Sequence, residues 1–491
     1  MQEHASQRQQ ENRETQQPES GAARQTQSQP PARPLDMPGP EAGADMPPEG
    51  QPGFRRALLD FLDGSPNSFF AVRNIARQLE AAGFQRLQEA EAWDLRPGAA
   101  CFVTRNQSSL IAFRVPPRAG TGFQLLACHG DSPCFRVKPG AALTVENRYV
   151  LLNLEKYGGM LCATWFDRPL SVAGRILLRT PGGLESRLVC VDRDLLIIPS
   201  LAIHMDRTAN DGIKYNVQTD MLPLLSADVR DTLPDIVAAE AGVRPEDILD
   251  MDLYLYNRMK ATLLGANGEF LVSGRLDDLQ CVFAGLWGFL QAAPGANCPV
   301  LCVFDNEEVG SATRQGAAST FLRDTLQRVN AALGGSGEDY LRALANSFMV
   351  SADNAQGVHP NHRDKADPVN RPVLNGGIVL KYSANQKYTT DAVSGALFRL
   401  LCERADVPVQ TFVNRADMAG GSTLGNISAT RVPVRAVDVG LAQLAMHSAC
   451  ETAGAEDAAY LARAARELFS AALRVHGDGA IELLPAAGEK L

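Results

Sequence analysis

Residues 123–133 read FQLLACHGDSP, an apolar run that ends abruptly at His129, Gly130 and Asp131. A short apolar run bounded by polar and turn residues is typical of a β-strand buried on both faces. In extended backbone His129 and Asp131 project from the same face. The Asp131 carboxylate can then accept the second N–H of the imidazole, as metal-binding histidines normally require. A strand-end histidine bonded to a neighbour would look the same, so the motif alone does not decide between the two.

Other apolar runs alternate with helical patterns on both sides of this stretch. Strand-like runs occupy residues 109–115, 299–304, 348–352, 408–413 and 432–437. Helical spacing of apolar residues covers 277–292, 317–332 and 390–403. This alternation predicts an α/β domain, with a mixed sheet flanked by helices.

The middle of the chain has a different pattern. Between about 140 and 268, short apolar runs such as 150–154 and 175–178 are separated by turn residues, which predicts a mostly β insertion. We therefore expect a discontinuous α/β domain, residues 54–139 and 269–491, interrupted by an inserted domain, residues 140–268. Residues 1–53 contain no aromatic residue, Val or Ile, and we expect a disordered tail because such a stretch buries too little apolar surface.

The composition narrows the function classes. A net charge of -9 with 45% hydrophobic residues indicates a globular protein and argues against nucleic acid as a partner. The sequence has no apolar run long enough for a bilayer and no apolar core of a signal peptide, so we expect no membrane partner. The ten cysteines form no CxxC pair, which favours free thiols in a reducing cytoplasm.

Candidate metal ligands follow several predicted strands. Glu307 and Glu308 come after the run 299–304, and Asp353 comes after 348–352. Open α/β sheets place their sites at the carboxyl ends of strands, so these side chains and His129 should lie close together. A solvated acidic loop would also explain the paired glutamates.

Two further candidates complete the set. Asp277 opens a helical pattern, where Asp277 or Asp278 could instead cap the helix. His447 comes shortly after a strand that ends near residue 438, and a buried structural histidine would explain it equally. Two histidines and three carboxylates suit zinc, and a shared carboxylate can hold two metals. Because no cysteine is involved, a hydrolytic site fits better than a structural zinc cluster.

At these residues the chain resembles the aspartyl aminopeptidase family of zinc metallopeptidases, which also includes the vacuolar aminopeptidase. The resemblance extends from about residue 54 to 451. The supporting stretches are HGDSP (129–133), TWFDR (164–168), IPSLAIHM (198–205), RLD (275–277), DNEEVGS (305–311), SAD (351–353), GST (421–423) and MHS (446–448).

The resemblance implies a role for each site residue. His129 and Asp353 would hold one zinc ion, Glu308 and His447 a second, and Asp277 would bridge them; cobalt or manganese could replace zinc. Asp131 would orient His129, and Glu307 would be the general base. His204 would reach the active site of a partner subunit, because the family forms dimers through the insertion and builds a tetrahedral dodecamer from them. Lys381 and Tyr388 would lie at the substrate pocket.

The resemblance thus predicts a co-catalytic zinc exopeptidase that removes the first residue of peptides, with a preference for Asp or Glu. A preference for a neutral first residue such as Leu is the alternative, since Lys381 could also be an ordinary surface lysine. The chain departs from the family at Asp278, where Asn is common, and in its long tail. Two rival functions also stay open, namely a carboxypeptidase or amidohydrolase with the same ligand order, and a catalytically silent assembly protein.

Overall fold

The computed structural model describes residues 52–484. The tail predicted for residues 1–53 therefore lies outside the described residues, except for its last two positions, which belong to the first helix. The helices are α1 Pro52–Gly64, α2 Ser68–Ala81, α3 Val217–Asp220, α4 Leu233–Ala241, α5 Leu276–Gln291, α6 Phe321–Ala332, α7 Gly337–Ala345, α8 Ala392–Arg404, α9 Leu424–Ala429 and α10 Asp457–Ser470.

The strands are β1 Gln85–Leu87, β2 Ala100–Arg105, β3 Ser109–Arg114, β4 Phe123–His129, β5 Cys134–Val145, β6 Tyr149–Tyr157, β7 Leu170–Thr180, β8 Gly183–Cys190, β9 Leu224–Ser226, β10 Ile248–Asn257, β11 Thr262–Leu264, β12 Phe270–Ser273, β13 Cys298–Phe304, β14 Phe348–Ala352, β15 Ala355–Gln356, β16 Ile378–Tyr382, β17 Val409–Val413, β18 Arg435–Gly440, β19 Ala442–Leu444, β20 Glu451–Gly454, β21 Ala472–Val475 and β22 Ile481–Leu484.

A nine-stranded mixed sheet forms the centre of the α/β part. Its strand order is β1-β2-β3-β13-β4-β14-β18-β16-β17. Strand β4 runs parallel to both β13 and β14, and β14 runs parallel to β18. The carboxyl ends of these strands consequently meet at one edge of the sheet. The predicted α/β fold with a mixed sheet is confirmed.

Helices cover both faces of this sheet, which explains its continuous apolar strands. Along β4, Leu126 and Cys128 pack into a core with residues of α5 and α10, whereas Leu125 and Ala127 pack into a core with α6 and α7. Successive side chains of a strand point to opposite faces, so both faces of β4 contribute apolar side chains to a core. Helix α5 packs especially close to β4. A Cβ on Gly285 would lie only 2.7 Å from Leu126 Cδ2.

A second, six-stranded antiparallel sheet lies between the first and second parts of the α/β fold. Its order is β8-β7-β10-β5-β6-β9, and it has its own core around Phe135 and Trp165. Residue 140 lies within β5. Residue 268 lies between β11 and β12, two strands that join β20, β19 and β15 in a five-stranded sheet.

Two elements of the α/β part begin three or more residues later than predicted. Strand β18 begins at Arg435 rather than 432, because Pro433 has no backbone N–H to donate to a ladder. Helix α6 begins at Phe321 rather than 317, after a turn in which the Phe321 N–H donates to Ser319 Oγ. Helix α5 begins irregularly, as described below. Within residues 52–484, no helix combines the length and apolar character needed to cross a membrane.

Candidate metal centre

Three parallel strands deliver site residues to one edge of the main sheet. His129 is the last residue of β4, where it lies opposite Phe304 at the end of β13. A short 3-10 turn, Glu307–Val309, follows β13, and Asp353 directly follows β14. The sequence prediction that these side chains share an edge therefore describes their placement correctly.

Asp277 reaches the same edge from the start of α5. The residue before the helix, Arg275, has left-handed backbone (φ 62°) and makes no side-chain capping bond. Asp277 and Asp278 have non-helical backbone angles, and the peptide bond between them is cis. Of these two candidates for the helix cap, Asp278 accepts the backbone N–H of His129 at its Oδ2, at 3.3 Å. The Asp277 N–H donates to Glu451 Oε2, at 3.1 Å.

The Asp277 carboxylate lies between two histidines. Its Oδ1 is 3.5 Å from His129 Nε2, and its Oδ2 is 3.4 Å from His447 Nε2. Asp353 Oδ1 lies 3.9 Å from His129 Nε2, and Glu308 Oε1 lies 3.4 Å from His447 Nε2. Two triads result, His129–Asp277–Asp353 and Asp277–Glu308–His447, each with its ligand atoms within 4.8 Å of one another.

These distances fit divalent cations better than hydrogen bonds. Contacts of 3.4–3.9 Å are long for hydrogen bonds, whereas atoms that share a tetrahedral zinc ion at roughly 2.0–2.1 Å lie about 3.3 Å apart. Among the described residues, Asp277 Oδ1 and Glu308 Oε1 are buried without a hydrogen-bond partner. Unpaired buried carboxylate oxygens are costly, and a cation would satisfy both. Imidazole nitrogen and carboxylate oxygen are donors that zinc prefers.

Both histidines are oriented with Nε2 towards the carboxylates. His129 Nδ1 lies 3.1 Å from the backbone carbonyl oxygen of Asp131, and His447 Nδ1 is hydrogen-bonded to that of Gly159. A carbonyl oxygen can only accept, so each Nδ1 carries the proton and each Nε2 is free to bind a cation. The Asp131 carboxylate, expected to accept from His129, is more distant, at 3.5 Å.

The Asp131 carboxylate instead fixes the turn that carries the two glutamates. Its Oδ1 accepts the N–H of Glu307 and its Oδ2 that of Glu308, both at 3.2 Å. Tyr157 of β6 donates its hydroxyl to Oδ2 at 2.6 Å. Burial, reinforced by Asp353 and opposed by His129, raises the pKa of Glu307 to about 8. A cation in the triads would favour the ionised form and counter this shift.

Besides Asp131 and Glu307, three predicted site residues lie outside the two triads. His204 is exposed in the inserted part, between β8 and β9. Lys381 is not a surface lysine: it is 2% exposed, donates to the Asn354 carbonyl oxygen at 2.8 Å and lies 3.9 Å from Asp353 Oδ2. Its ammonium is 5.4 Å from the centre of the Tyr388 ring.

A cavity of about 310 Å³ opens beside the centre. Its wall includes Tyr388 and also Ala445 and Met446, the two residues before His447. Lys365 and Arg415 line it as well, with one carboxylate, Asp367. A volume near 300 Å³ is at the lower end of the range for small-molecule sites.

Sequence reasoning missed two supporting side chains, Glu451 and Tyr157. Glu451 is 1% exposed and accepts the N–H of His447 at 2.7 Å as well as that of Asp277. A single ionisable residue among small residues in the stretch 449–455, ACETAGA, was a usable signal for it. Tyr157 had no such signal, since its partner Asp131 lies across the boundary between two sheets.

Paired histidine–carboxylate triads at the edge of an α/β sheet define a metal-dependent hydrolase. Comparison with known proteins identifies its family. Residues 61–469 match the family described as aminopeptidase I zinc metalloprotease (M18). The chain is 46% identical over 426 residues to the probable M18 family aminopeptidase 2 of Clostridium acetobutylicum, covering 85% of this chain and 98% of that protein. The corresponding protein of Pseudomonas aeruginosa strain UCBPP-PA14 is 45% identical over 417 residues, covering 83% and 96%.

Solved structures agree with this assignment. A chain in the cryo-EM structure of the Ape4 and Nbr1 complex is 36% identical, with a TM-score of 0.82 and 84% of each chain covered. The crystal structure of prApe1 is 28% identical, with a TM-score of 0.81 and coverage of 85% and 94%. The chain therefore belongs to the M18 family of zinc aminopeptidases, and the resemblance noted from the sequence is confirmed. It is a metal-dependent exopeptidase, a hydrolase that removes N-terminal residues from peptides.

Proposed function

We propose that each subunit binds two zinc ions, one in each triad, with Asp277 shared between them. The observation that carries this proposal is the position of Asp277, whose two oxygens face the Nε2 atoms of two different histidines at 3.5 and 3.4 Å. His129 and Asp353 would complete one site, and Glu308 and His447 the other. When bound, a pair of divalent ions lowers the pKa of a water and supplies positive charge opposite a developing oxyanion.

Glu307 is the proposed general base. It shares the 3-10 turn with Glu308, and its carboxylate lies within 4.8 Å of the potential ligand atoms of Glu308 and His129. Its backbone N–H is fixed by Asp131, so its carboxylate is held beside the triads without completing either of them. In this position it can accept the proton of the attacking water and return it to the leaving amine.

His204 is proposed to act in the active site of a second subunit. It is exposed on its own chain, and so are its apolar neighbours Leu201 (61%), Ile203 (47%) and Met205 (76%). Exposed apolar side chains clustered around a polar residue are typical of an interface. The related structure of the S. cerevisiae mApe1 is a dodecamer. We infer that the inserted part, residues 140–268, forms the dimer and that dimers build a tetrahedral dodecamer.

The proposed substrate is a peptide with a free N-terminus and an acidic first residue. The cavity beside His447 carries the cations Lys365 and Arg415, and Lys381 lies beneath Tyr388 at its wall. These positive charges would attract the carboxylate of an Asp or Glu side chain, so they favour such a first residue over a neutral one.

A fluorogenic panel tests this proposal. The substrates carry Asp, Glu, Leu, Ala or Lys at the N-terminus, each free and N-acetylated, with and without a chelator. We expect the highest kcat/KM for Asp and Glu, no cleavage of acetylated substrates, and loss of activity with chelator that zinc restores. A preference for Leu would replace the acidic specificity with a neutral one, and cleavage of blocked peptides from the carboxyl end would reject the aminopeptidase reaction.

A further inference from the structure

A five-residue segment connects the inserted sheet to the metal centre of the same chain. Residues 157–161, with the sequence YGGML, leave the end of β6 and lead into a 3-10 turn at Cys162–Trp165. We call them the linking segment. It contacts the metal centre at four points, one at Asp131, two at His447 and one at Glu308.

The first contact holds the turn that carries the proposed base. Tyr157 donates its hydroxyl to Asp131 Oδ2 at 2.6 Å and accepts a hydrogen bond from Asn306 Nδ2 at 2.9 Å. Asp131 in turn accepts the N–H groups of Glu307 and Glu308. A single tyrosine of the inserted sheet therefore bonds to both the start of this turn and the carboxylate that organises it.

The second and third contacts hold His447. The Gly159 carbonyl oxygen accepts the Nδ1–H of His447, and the Leu161 N–H donates to the His447 carbonyl oxygen at 3.0 Å. His447 itself has left-handed backbone, with φ 66°, in a loop after β19. The linking segment thus fixes both the tautomer and the backbone carbonyl of a residue that lies outside the helices and strands.

The fourth contact is steric. Gly158 has φ +76°, and a Cβ at this position would lie 3.2 Å from Glu308 Cβ and 3.3 Å from the Glu308 carbonyl oxygen. The segment can pass this close to Glu308 only because residue 158 lacks a side chain.

We propose that the linking segment is a positioning element through which the inserted sheet sets the cation affinity and catalytic geometry of its own subunit. This inference rests on the proposed two-zinc function. It assigns the insertion a role within the subunit, in addition to any role in assembly. Its residues act through Asp131, Glu308 and His447 and do not touch the substrate themselves. Partners of this kind typically change metal affinity or activity about 10- to 100-fold when they are removed.

The first test removes one hydroxyl. Tyr157→Phe is compared with Tyr256→Phe, because Tyr256 is another tyrosine of the inserted sheet but donates to the Val191 carbonyl oxygen at 3.0 Å. The measurements are zinc dissociation constants by competition with a chromogenic chelator, kcat and KM at saturating zinc, and thermal unfolding. We expect Tyr157→Phe to weaken binding of at least one zinc ion about 10-fold or more and to lower kcat with little change in KM. Tyr256→Phe should change only the unfolding temperature.

The second test adds one methyl group. Gly158→Ala is compared with Gly140→Ala, since Gly140 also lies in the inserted sheet with positive φ (+64°) but has open space around its Cβ position. Both variants carry the same type of backbone strain, so both should unfold at lower temperature. Only Gly158→Ala should lose zinc affinity, because only there does the methyl group push against Glu308.

The outcomes separate this inference from the function on which it rests. If the wild-type chain binds no pair of zinc ions and cleaves no peptide, the proposed function fails. If the wild type does both, and the folded Tyr157→Phe and Gly158→Ala variants match their controls in zinc affinity and kcat, the positioning role is rejected while the function stands.

Discussion

The two halves of the metal centre use the same kinds of donor but rest on different supports. The His129 side chain is 1% exposed, and it ends a strand in the middle of the main sheet. The His447 side chain is 32% exposed and lies in a loop with left-handed backbone. Its orientation depends on Gly159 of the linking segment. We conclude that the first half is preorganised by the core of the sheet, whereas the second half is assembled by contacts from another part of the fold.

The largest expected effect comes from removing the group that both halves share. Asp277→Asn should lose both cations and lower kcat/KM about 10⁴-fold or more, which corresponds to ~5.5 kcal/mol of transition-state stabilisation. The matched control is Asp278→Asn at the next, equally buried carboxylate, which faces the His129 N–H instead of a histidine Nε2. Metal analysis and peptide hydrolysis check both variants. If Asp277→Asn keeps two zinc ions and full turnover, the shared carboxylate is misassigned.

The second effect distinguishes two adjacent glutamates. Glu307→Gln keeps the size of the side chain but removes the base, so we expect two bound zinc ions and a kcat about 10²–10⁴-fold lower. Glu308→Gln should instead reduce the zinc content, because Glu308 belongs to the His447 triad. Elemental analysis beside initial rates separates these results. Normal turnover by Glu307→Gln would end its assignment as the base.

The position of these groups was largely predictable from sequence, because apolar runs that end in polar residues identify buried strands. His129 and Asp353 were found in this way, since β4 and β14 are buried along their whole lengths. Resemblance to a family added the pairing of ligands, which spacing alone could not supply. The change of pattern near residue 140 indicated a β-rich part, whose first strand, β5, begins earlier, at Cys134.

Other features of the structure could not be predicted from the sequence. Val432 is fully buried without belonging to a strand, so its apolar character alone misplaced the start of β18. Gly159 contacts His447 through its backbone carbonyl oxygen. Every residue carries this group, so the contact cannot be predicted from the sequence. The burial of Lys381 was also hidden, because it depends on the fold around Asn354 rather than on neighbouring residues.

The third prediction concerns the difference in zinc affinity between the two halves of the metal centre. Stepwise removal of zinc with chelators of increasing strength should give two steps, with the ion of the more exposed His447 half leaving at about 10-fold lower chelator strength. His447→Ala should abolish the weaker step and retain the tighter one. His129→Ala should abolish the tighter step. If His447→Ala instead removes the tightly held ion, the comparison of the two halves is reversed.

The smallest effect concerns the cavity next to the His447 half. Lys365 lines this cavity, whereas Lys387 is exposed on the neighbouring stretch and does not. Lys365→Gln should lower the kcat/KM ratio for Asp over Leu substrates about two- to fivefold, as expected for a solvent-exposed charge pair worth up to about 1 kcal/mol. Lys387→Gln should leave the ratio unchanged. An equal change in both variants would indicate a long-range effect of net charge rather than recognition in the cavity.

Anomalous diffraction at the zinc edge, from crystals of the zinc-loaded protein, tests the shared Asp277 carboxylate most directly. A shared carboxylate predicts two peaks in each subunit, one between His129 and Asp353 and the other between His447 and Glu308, both in contact with Asp277. A single peak, or peaks that do not touch Asp277, would contradict it.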